Sequence, residues 1–487
     1  MVNLLNDLKS IGSEYILPNI INGELIESKN TLDKINPLNG DLQYKVSNSS
    51  SEEFNNTVKI ANEAKKEWSS INTINRGKIL LKSANLLQQY EKEISYISTL
   101  DSGKSIQESS AETNGAIQLA QYFGTEGMRN HGRTLESGMD GKKTIVKKVP
   151  LGVAGLITAF NSPLPNIAWK VYPALFCGNA VILKPSELAP RVAIALAEII
   201  EEAGLPKGVF NILNGGGKNQ VGEWIVNSDG IDVVSFTGSY EVGQSIAVTC
   251  AKKFKRYSLE LGGKNALVIH EDADLDNAVD WTIKSSFSLS GQRCSSASRL
   301  FIHKNILDEF NKLLSEKMDL LLREDSNLLS CPIISKNARE NIESNIQEAI
   351  KRGAKVKRFE VNHNDGFVVL PTLLFELGLD DEINNNELFG PVATVSTYEK
   401  IDEVVDYVNA SLFGLTASLH TKSLAISDYF TEQVQAGTVN VNIGTFGSEP
   451  HYPFGGFGFS GNGTREPGLE ALDVYSEIKT ISTHSNL

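Results

Sequence analysis

The sequence predicts an α/β fold in which a parallel sheet carries helices on both faces. From residue 151 onward, short apolar segments of strand length alternate with segments of helical periodicity, and repeated strand–helix–strand units build such sheets. A second alternating region begins near residue 266, and the 487-residue length allows two to four domains. We therefore expect two α/β parts within one chain.

Helices dominate the predicted N-terminal part. Residues 51–68 place apolar side chains at helical spacing, and residues 76–100 continue this pattern. Before them, the NPLNG sequence at 36–40 indicates a turn. Residues 144–149 instead have a short, lysine-containing strand pattern, which we expect at a sheet edge or in an arm.

The α/β regions are predicted element by element from the same periodicities. In the first region, strands are expected at 153–159, 180–184, 209–213 and 233–236, with helices at 165–176, 192–203 and 240–250. In the second, strands are expected at 266–269, 300–302, 415–419 and 438–442, followed by a final strand at 474–483. Pro173 is expected to kink or shorten its helix, because proline removes a backbone donor.

The composition disfavours several classes of function. The chain has 46 basic and 59 acidic residues, and its net charge of −13 disfavours nucleic-acid and anionic-membrane binding. Apolar runs stay far below the ~20 residues of a membrane span, and the start lacks a signal-peptide pattern. The four cysteines and seven histidines form no disulfide framework or metal motif. We expect a metal-free cytoplasmic protein that binds neither nucleic acid nor membrane.

One strand-to-helix turn carries a candidate phosphate-binding sequence. The literal GxGxxG match at 456–461 follows a proline-containing segment and joins no strand to a helix, so we interpret it as a loop. The better candidate runs from Phe236 through Thr237 to Gly243, where Gly238 allows a tight turn and Ser239 can cap the helix. Free N–H groups at such a helix start suit a pyrophosphate. An ordinary turn is the alternative interpretation.

The strand at 180–184 ends in a second candidate for nucleotide binding. Lys184, Pro185, Ser186 and Glu187 stand at its carboxyl end. A carboxylate there accepts a hydrogen bond from a ribose 2′-hydroxyl and repels a 2′-phosphate, which favours NAD over NADP. A solvated loop is the alternative interpretation of this segment.

Three polar residues are candidates for chemistry on an aldehyde. Cys294 lies among small residues, and the adjacent Arg293 can stabilise a thiolate. A thiolate that attacks an aldehyde creates an oxyanion, for which the Cys294 backbone N–H and the Asn161 amide are candidate donors. If a hydride then leaves, the remaining thioester needs a base-activated water, and Glu260 is the candidate base. Taken singly, these residues are more typical of an inert thiol, a turn and a paired or solvated carboxylate.

Together these motifs resemble the NAD(P)-dependent aldehyde dehydrogenase superfamily along almost the whole chain. Their order along the chain makes the match specific. The matching stretches are residues 160–161 with 169–170, 184–187, 236–239 with 243, 259–263, 291–294, 387–391, and 453–456 with 460–461.

The resemblance implies a role for each motif. It implies Cys294 as the nucleophile, Glu260 as the general base and Asn161 as the oxyanion donor, with Lys170 in the catalytic set as well. Glu387 is implied to hold the nicotinamide ribose. The implied cofactor-binding residues are Lys184, Pro185, Ser186, Glu187, Phe236, Thr237, Gly238, Ser239, Gly243, Leu261, Gly262, Glu387 and Phe389.

The resemblance also implies a domain organisation. A Rossmann-like NAD-binding domain is expected from residues 1–127 and 151–262, an α/β catalytic domain from 263–461, and a small β oligomerisation arm from 128–150 and 462–487. Members of the family are usually dimers or tetramers, so we expect a homodimer or homotetramer.

The expected substrate side is more polar than in relatives that oxidise simple aliphatic aldehydes. Many of those have a phenylalanine directly after the oxyanion asparagine, where this chain has Ser162. Arg293 is also a candidate partner for a carboxylate; the alternative is that its side chain points into the protein. The expected pocket residues are Ser162, Asn166, Arg293, Ser295 and Phe454. We hypothesise a hydroxylated or carboxylated aldehyde; the alternative is that other side chains fill the same space.

The main functional prediction is NAD-dependent oxidation of an aldehyde to a carboxylate, with NADP left open as a second cofactor. A CoA-acylating semialdehyde dehydrogenase is one alternative, but Glu260 favours water as the acyl acceptor. A catalytically silent protein with the same fold is the remote alternative. The complete set of Cys294, Glu260, Asn161 and Glu387 disfavours it.

Overall fold

A computed structural model describes residues 2–324, 329, 331–360 and 366–484 of the chain. Its helices are α1 Val2–Ser10, α2 Ser51–Ser70, α3 Thr73–Gln89, α4 Glu91–Ser102, α5 Ile106–Glu126, α6 Pro163–Cys177, α7 Arg191–Glu202, α8 Val221–Asn227, α9 Tyr240–Lys252, α10 Leu275–Phe287, α11 Leu307–Glu324, α12 Lys336–Lys351, α13 Glu382–Asn385, α14 Ile401–Asn409, α15 Leu424–Gln433 and α16 Ala471–Val474. Short 3₁₀ turns lie at Ser288–Gly291 and Lys304–Ile306.

The strands follow the same order along the chain. They are β1 Ile16–Leu17, β2 Asn19–Ile21, β3 Glu24–Ile26, β4 Asn30–Ile35, β5 Leu42–Asn48, β6 Arg133–Leu135, β7 Lys142–Pro150, β8 Val153–Ile157, β9 Ala180–Lys184, β10 Phe210–Ile212, β11 Val233–Thr237, β12 Arg256–Glu260, β13 Asn265–Ile269, β14 Ala297–His303, β15 Lys355–Arg358, β16 Thr372–Phe375, β17 Val392–Tyr398, β18 Phe413–Gly414, β19 Thr416–His420, β20 Thr438–Val441, β21 Phe457–Gly458 and β22 Ser476–His484. Strands and helices alternate from β8 to β12, as the periodicity predicts.

Local side-chain interactions set the ends of several helices. At α2, the Ser50 hydroxyl accepts a hydrogen bond from the Glu53 amide, while the Glu53 carboxylate accepts one from the Ser50 amide. This capping box satisfies two amides that lack helical partners. Gly178 ends α6 in the left-handed region at φ 98°, which glycine adopts without steric cost.

The first large sheet comes from the part of the chain before residue 261. In the described residues its seven strands lie in the order β12-β11-β8-β9-β10-β2-β3, and the strands from β12 to β10 are parallel. All residues of β8 and β9 are buried, as expected where helices cover both faces. The carboxyl ends of β12, β11, β8 and β9 therefore lie side by side at one edge.

The second large sheet has seven strands within the described ranges, in the order β15-β16-β17-β14-β13-β19-β20. All of its pairs are parallel except β15 with β16. Alternate residues of β13 face opposite layers: one face packs on α10 and α11, and the other on α14 and α15. The sequence periodicity thus correctly predicts a second region covered by helices.

A smaller antiparallel sheet joins the C-terminal strand to the lysine-containing strand. Strand β22 pairs with β7 along its whole length, and β6 pairs with the other side of β7. The lysine-containing strand is therefore the central strand of an arm sheet and not an edge strand. Exposed Lys143, Ile145 and Lys147 alternate with buried Thr144 and Val146, because successive side chains point to opposite faces.

The structure corrects three details of the predicted elements. Residues 76–100 form two helices, since α3 ends at Gln89 and α4 begins at Glu91. Helix α6 continues through Pro173 to Cys177, because burial of almost the whole helix stabilises it despite the lost donor. Residues 462–475 lie outside the arm sheet: Leu472 and Tyr475 belong to the core of the first large sheet. The C-terminal part of the arm thus begins with β22.

None of the helices in the described ranges combines the length and apolarity that crossing a membrane requires. Nor does this part of the chain bring three or more histidine, cysteine, aspartate or glutamate side chains together as metal ligands. Cys177, Cys250, Cys294 and Cys331 are free thiols.

Candidate active site

A cavity of about 770 Å³ opens at the shared carboxyl edge of β8, β11 and β12. Asn161 follows β8 at this edge, and residues 237–239 follow β11. The other wall comes from the second region and includes Cys294 and Glu387. The cavity thus joins both α/β regions at the kind of strand edge where α/β proteins bind ligands.

A strained turn presents the candidate nucleophile to the cavity. Residues 289–291 take consecutive left-handed conformations, with φ of 52°, 50° and 65°, which are unfavourable for the two that carry side chains. Hydrogen bonds brace the turn: Glu108 accepts from the Leu289 amide at 3.1 Å, and the Ser290 hydroxyl donates to the Cys331 carbonyl. The surrounding structure therefore holds the backbone in this shape.

Cys294 is half-buried and lines the cavity. The Asn265 amide donates to the Cys294 carbonyl at 2.7 Å, and a Cβ at Gly263 would lie 2.6 Å from the same carbonyl. Burial, followed by the charges of Glu387 and Glu260, raises the pKa of the thiol to about 12. Burial therefore favours the protonated thiol, and the reactive thiolate needs additional stabilisation.

Glu260 ends β12 and is only 5% exposed. Among the described residues, neither of its carboxylate oxygens has a hydrogen-bond partner. Burial, followed by the charge of Glu466, raises the pKa of Glu260 well above its usual value. The carboxylate lies against Gly455, where an added Cβ would be 2.9 Å from Oε1. It does not line the cavity, yet its charge acts on Cys294.

Asn161 lines the cavity and is held at two points. The Lys104 ammonium donates to its backbone carbonyl at 2.7 Å. The Asn166 side chain donates from Nδ2 to Oδ1 of Asn161 at 3.0 Å. With Oδ1 engaged, Nδ2 is the atom of the Asn161 amide that is left to donate.

Lys170 is buried at 1% exposure and lies outside the cavity wall. Its ammonium donates to the Glu466 carboxylate and to the Ser235 hydroxyl, both at 2.7 Å. Glu466 also accepts a hydrogen bond from Tyr475 at 2.7 Å. The charges of Glu466 and Lys170 act on Glu260. The structure thus places Lys170 as a neighbour of the candidate base and not as a group that contacts substrate.

The predicted phosphate-binding turn forms part of the cavity wall, which includes Thr237, Gly238 and Ser239. Ser239 caps α9 by accepting a hydrogen bond from the Val242 amide at 3.5 Å. A Cβ at Gly243 would lie 2.5 Å from Leu261, so the first turn of α9 packs closely on this residue. Leu261 itself lines the cavity, and Phe236 is buried behind the turn.

The 184–187 segment lies at the same sheet edge, outside the cavity wall. The Lys184 ammonium donates to the Glu187 carboxylate at 2.9 Å and to the Pro185 carbonyl at 3.2 Å. Ser186 is buried, and its hydroxyl accepts from the Leu188 amide at 3.3 Å. The Glu187 carboxylate is therefore held at the carboxyl end of β9.

Glu387 lies over the two glycines that follow the Glu260 segment. Its Oε1 accepts from the Gly263 amide at 3.0 Å, and a Cβ at Gly262 would overlap the carboxylate. Burial raises the pKa of Glu387 to about 7. Phe389 has a left-handed φ of 53° and packs edge-on against Phe160, with ring centroids 5.8 Å apart. Because Gly262 carries no side chain, the Glu387 carboxylate can lie directly over it.

Of the predicted substrate residues, Asn166 lines the cavity, while Ser162 and Arg293 are half-buried neighbours of Asn161 and Cys294. The Ser162 hydroxyl donates to Glu112 at 3.0 Å. The Arg293 guanidinium donates to Ser288 at 2.6 Å and lies 4.8 Å from the centroid of the Phe446 ring. It also lies 3.7 Å from Glu108. Polar groups therefore do adjoin the candidate nucleophile and oxyanion donor.

Ser295 and Phe454 are buried and do not line the cavity. The Ser295 carbonyl accepts from the Thr445 hydroxyl at 2.6 Å. The Phe454 ring packs edge-on against Trp169 at 5.3 Å between centroids. Packing inside the protein explains their positions.

An aromatic wall of the cavity escaped the sequence analysis. Tyr240 stacks on Phe459 with centroids 4.0 Å apart, and Phe413 meets Phe459 edge-on at 6.1 Å. All three line the cavity. They lie far apart along the chain, so no local motif joins them. The Lys104–Glu112 ion pair beside Asn161 was also missed.

The literal GxGxxG match at 456–461 forms a loop that contains β21 and no helix, which confirms the loop interpretation. The Ser460 carbonyl accepts from the Leu261 amide at 3.0 Å, and Gly461 pairs with Glu260. The loop therefore braces the segment that carries the candidate base.

The profile of the aldehyde dehydrogenase family matches residues 25–481. The chain belongs to the aldehyde dehydrogenase family. This match confirms the resemblance and the fold class predicted from the motifs.

The chain is similar to proteins that are named for different aldehydes. It is 35% identical to an α-ketoglutaric semialdehyde dehydrogenase of Bacillus subtilis, over 95% of this chain and 97% of the relative. It is 34% identical to a 3-sulfolactaldehyde dehydrogenase of Priestia aryabhattai, over 95% and 96%. The betaine aldehyde dehydrogenase of Staphylococcus aureus, solved in complex with NAD+, is 32% identical with a TM-score of 0.93, over 100% of this chain and 98% of that one.

Proposed function

We propose that this chain oxidises an aldehyde to a carboxylate with NAD+ as the hydride acceptor. One observation carries the proposal: Cys294 and Asn161 line the same cavity as the turn at 237–239. A nucleophile and an oxyanion donor therefore meet at a strand-to-helix turn suited to a dinucleotide. In the proposed reaction, aldehyde, NAD+ and water give carboxylate, NADH and two protons.

The residues around the turn fit a bound dinucleotide. Helix α9 begins at the cavity with Ser239 as its cap, and such a helix start attracts a pyrophosphate. Gly262 leaves room for Glu387, which we propose to bind the nicotinamide ribose. Glu187 would bind the adenosine ribose and repel a 2′-phosphate. The NAD+ complex of the related Staphylococcus aureus protein supports the same choice, with NADP as the less favoured cofactor.

Cys294 is the proposed nucleophile. Its raised pKa means that the thiolate needs stabilisation, and the backbone N–H groups of Ser295 and Cys294 favour the charged form. The thiolate sulfur attacks the carbonyl carbon and forms a thiohemiacetal, and the carbonyl oxygen becomes an oxyanion. The Asn161 Nδ2 group and the Cys294 backbone N–H would donate to this oxygen. When bound, NAD+ supplies the hydride acceptor that turns the thiohemiacetal into a thioester.

Glu260 is the proposed base that releases the product. Its two carboxylate oxygens lack partners within the described chain, and its raised pKa makes the carboxylate a stronger proton acceptor than an exposed glutamate. A water that loses its proton to Glu260 attacks the thioester carbon. The Cys294–carbon bond then breaks, the carboxylate leaves and the sulfur is regenerated. We propose that Lys170 and Glu466 influence this step only through their charges on Glu260.

We propose a polar aldehyde, of the semialdehyde or hydroxyaldehyde type, as the substrate. Ser162, Asn166 and Arg293 supply polar groups beside the reacting residues. The Arg293 guanidinium donates to Ser288 and forms an ion pair with Glu108 at 3.7 Å, so a substrate carboxylate would compete with Glu108 for it. The names of the semialdehyde and sulfolactaldehyde relatives support the same class.

A substrate panel tests the proposal. NADH release is measured with semialdehydes, hydroxyaldehydes, hexanal and benzaldehyde, with Cys294→Ala as the inactive control. We expect the highest kcat/KM for an aldehyde with a polar far end. A clear preference for hexanal or benzaldehyde would contradict the substrate class, and no NADH with any aldehyde would contradict the oxidation itself. Formation of acyl-CoA when CoA is added would favour the acylating alternative.

We also propose that the arm sheet mediates self-association in a homodimer or homotetramer of the cytoplasm. Ile145 and Ile478 on this sheet are 49% and 59% exposed, and such apolar side chains favour burial against a partner. The free thiols suit a reducing compartment. Sedimentation of the purified protein tests this assembly. A monomer at micromolar concentration would contradict it.

A further inference from the structure

The proposed oxyanion donor has a backbone fixed by a buried ion pair. The Lys104 ammonium is buried and donates both to Glu112, at 2.6 Å, and to the Asn161 carbonyl, at 2.7 Å. The same Glu112 oxygen accepts from the Ser162 hydroxyl at 3.0 Å. This arrangement, formed by Lys104 before α5 and Glu112 within it, therefore fixes the position of residues 161–162. It leaves the rotation of the Asn161 amide about its own side-chain bonds undetermined.

The Asn161 amide orientation depends on a neighbour in the first turn of α6. Asn166 donates from Nδ2 to Oδ1 of Asn161 at 3.0 Å, and its own backbone amide donates to the Ser162 carbonyl at 2.9 Å. An asparagine amide has one acceptor and one donor end. When a donor occupies Oδ1, the Nδ2 end is directed away from that donor. Because both side chains line the cavity, this orientation leaves Nδ2 for a substrate oxygen.

We propose that Asn166 is a positioning residue that fixes the amide of Asn161 with its donor end toward the reacting carbonyl. This inference rests on the oxyanion role proposed above for Asn161. Asn166 acts through Asn161 and needs no contact of its own with the oxyanion. In the opposite orientation, Oδ1 would face the developing negative charge and repel it, so the identity of the group at 166 controls the rate of the chemical steps.

Three substitutions separate this role from simple packing. Asn166→Asp has nearly the same shape, but its carboxylate only accepts hydrogen bonds, so Asn161 must turn Nδ2 toward it. Asn166→Leu has a similar volume and imposes no amide orientation. Asn166→Gln retains a donor. A packing role predicts that aspartate is tolerated better than leucine, whereas the positioning role predicts the reverse.

The experiment measures kcat, KM for the aldehyde and NAD+ affinity for each variant, in the wild-type and in the Asn161→Ala background. Asn161→Ala should lower kcat by about 100- to 1,000-fold, as expected when an oxyanion donor is lost. Asn166→Asp should lower kcat by about the same factor. Asn166→Leu should lower it by about 2- to 10-fold, as expected for one lost hydrogen bond, and Asn166→Gln by less. NAD+ affinity and thermal midpoint should remain unchanged.

The double variants decide the outcome. If Asn166 acts through Asn161, Asn166→Asp should change kcat less than about 2-fold once Asn161 is alanine. An equally large loss in that background would show that the new charge acts directly, and would overturn the inference. So would a higher kcat for Asn166→Asp than for Asn166→Leu. If Asn161→Ala itself leaves kcat unchanged, the proposed oxyanion role fails, which is a separate result.

Discussion

Replacing Gly262 with alanine tests whether Glu387 occupies the position that cofactor binding requires. In the structure a Cβ at Gly262 would lie 2.5 Å from the Glu387 carboxyl carbon. Carbon atoms normally approach to about 3.5–4.0 Å, so the carboxyl group must move by roughly 1 Å or more. The Gly263 amide, now 3.0 Å from Oε1, would then lose its hydrogen bond to the carboxylate.

The size of the effect follows from the hydrogen bond that the displaced carboxylate would no longer make to the nicotinamide ribose. A hydrogen bond to a charged group contributes about 1.5–3 kcal/mol, which corresponds to about a 10- to 150-fold change in an equilibrium constant. Because Glu387 is proposed to hold the nicotinamide ribose, we expect KM for NAD+ to rise by this factor. The aldehyde KM should change little, since its polar neighbours lie elsewhere.

Steady-state kinetics at varied NAD+ provide the assay, with thermal unfolding as a check on folding. Gly12→Ala is the matched control, because a Cβ at Gly12 meets no atom within 4 Å. In a Glu387→Ala background, Gly262→Ala should have little further effect on KM for NAD+, since no carboxylate remains to be displaced. The reasoning is refuted if Gly262→Ala leaves KM for NAD+ within about 2-fold of wild type.

Three further predictions address the base, the cofactor preference and stability. Glu260→Gln should retain a pre-steady-state burst of NADH but lower kcat by about 100- to 10,000-fold, and an equal loss of burst and turnover would contradict a role in thioester hydrolysis alone. Because burial raises the pKa of Glu260, wild-type kcat should fall as the pH drops below that pKa. The Glu260→Gln variant should lack this pH dependence. Glu187→Gln should weaken the preference for NAD+ over NADP+ by about 5-fold, which is the effect of roughly 1 kcal/mol of charge repulsion in water. The measurement is the ratio of kcat/KM with NAD+ to kcat/KM with NADP+, and an unchanged ratio would assign the preference to other groups. Burial lowers the pKa of His420 to about 4, so the free energy of unfolding should fall by about 3 kcal/mol between pH 6.5 and 4 as the unfolded histidine takes up a proton. In urea titrations, the His420→Leu variant should lack this part of the pH dependence. Identical pH dependence of the unfolding free energy in the variant and the wild type would contradict the prediction.

Much of the fold could be predicted because strand and helix periodicities are local. The residues of β8, β9, β11 and β13 and of the helices between them are apolar at spacings that their own segments reveal. Parallel strands in one sheet also end at the same edge. Asn161 and Thr237 could therefore be placed near one another from the ends of their strands, whereas the strand that ends at Glu260 was not predicted. The family motifs then identified Cys294 on the facing segment.

Predictions failed where a local preference met a strong tertiary contact. Pro173 does not shorten α6, because the helix is buried along nearly its whole length. The lysine-containing strand lies in the small arm sheet, which was one of its two expected positions, but it is not at the edge, since β22, more than 300 residues later in the chain, covers its other side. Residues 462–475 pack on the first core through Leu472 and Tyr475. In each case the deciding neighbour is remote in sequence.

The sequence by itself determined which segments form the two α/β regions and which residue types stand at the strand ends, because spacings of two and about four residues record which side chains face a core. Only the tertiary structure decided what those residues contact. It paired Lys170 with Glu466, 296 positions away. It left the Glu260 carboxylate buried beside them without a hydrogen-bond partner among the described residues, and it brought Tyr240, Phe413 and Phe459 into one wall. Such contacts depend on how complete layers pack, and no local pattern records the distance between two remote side chains.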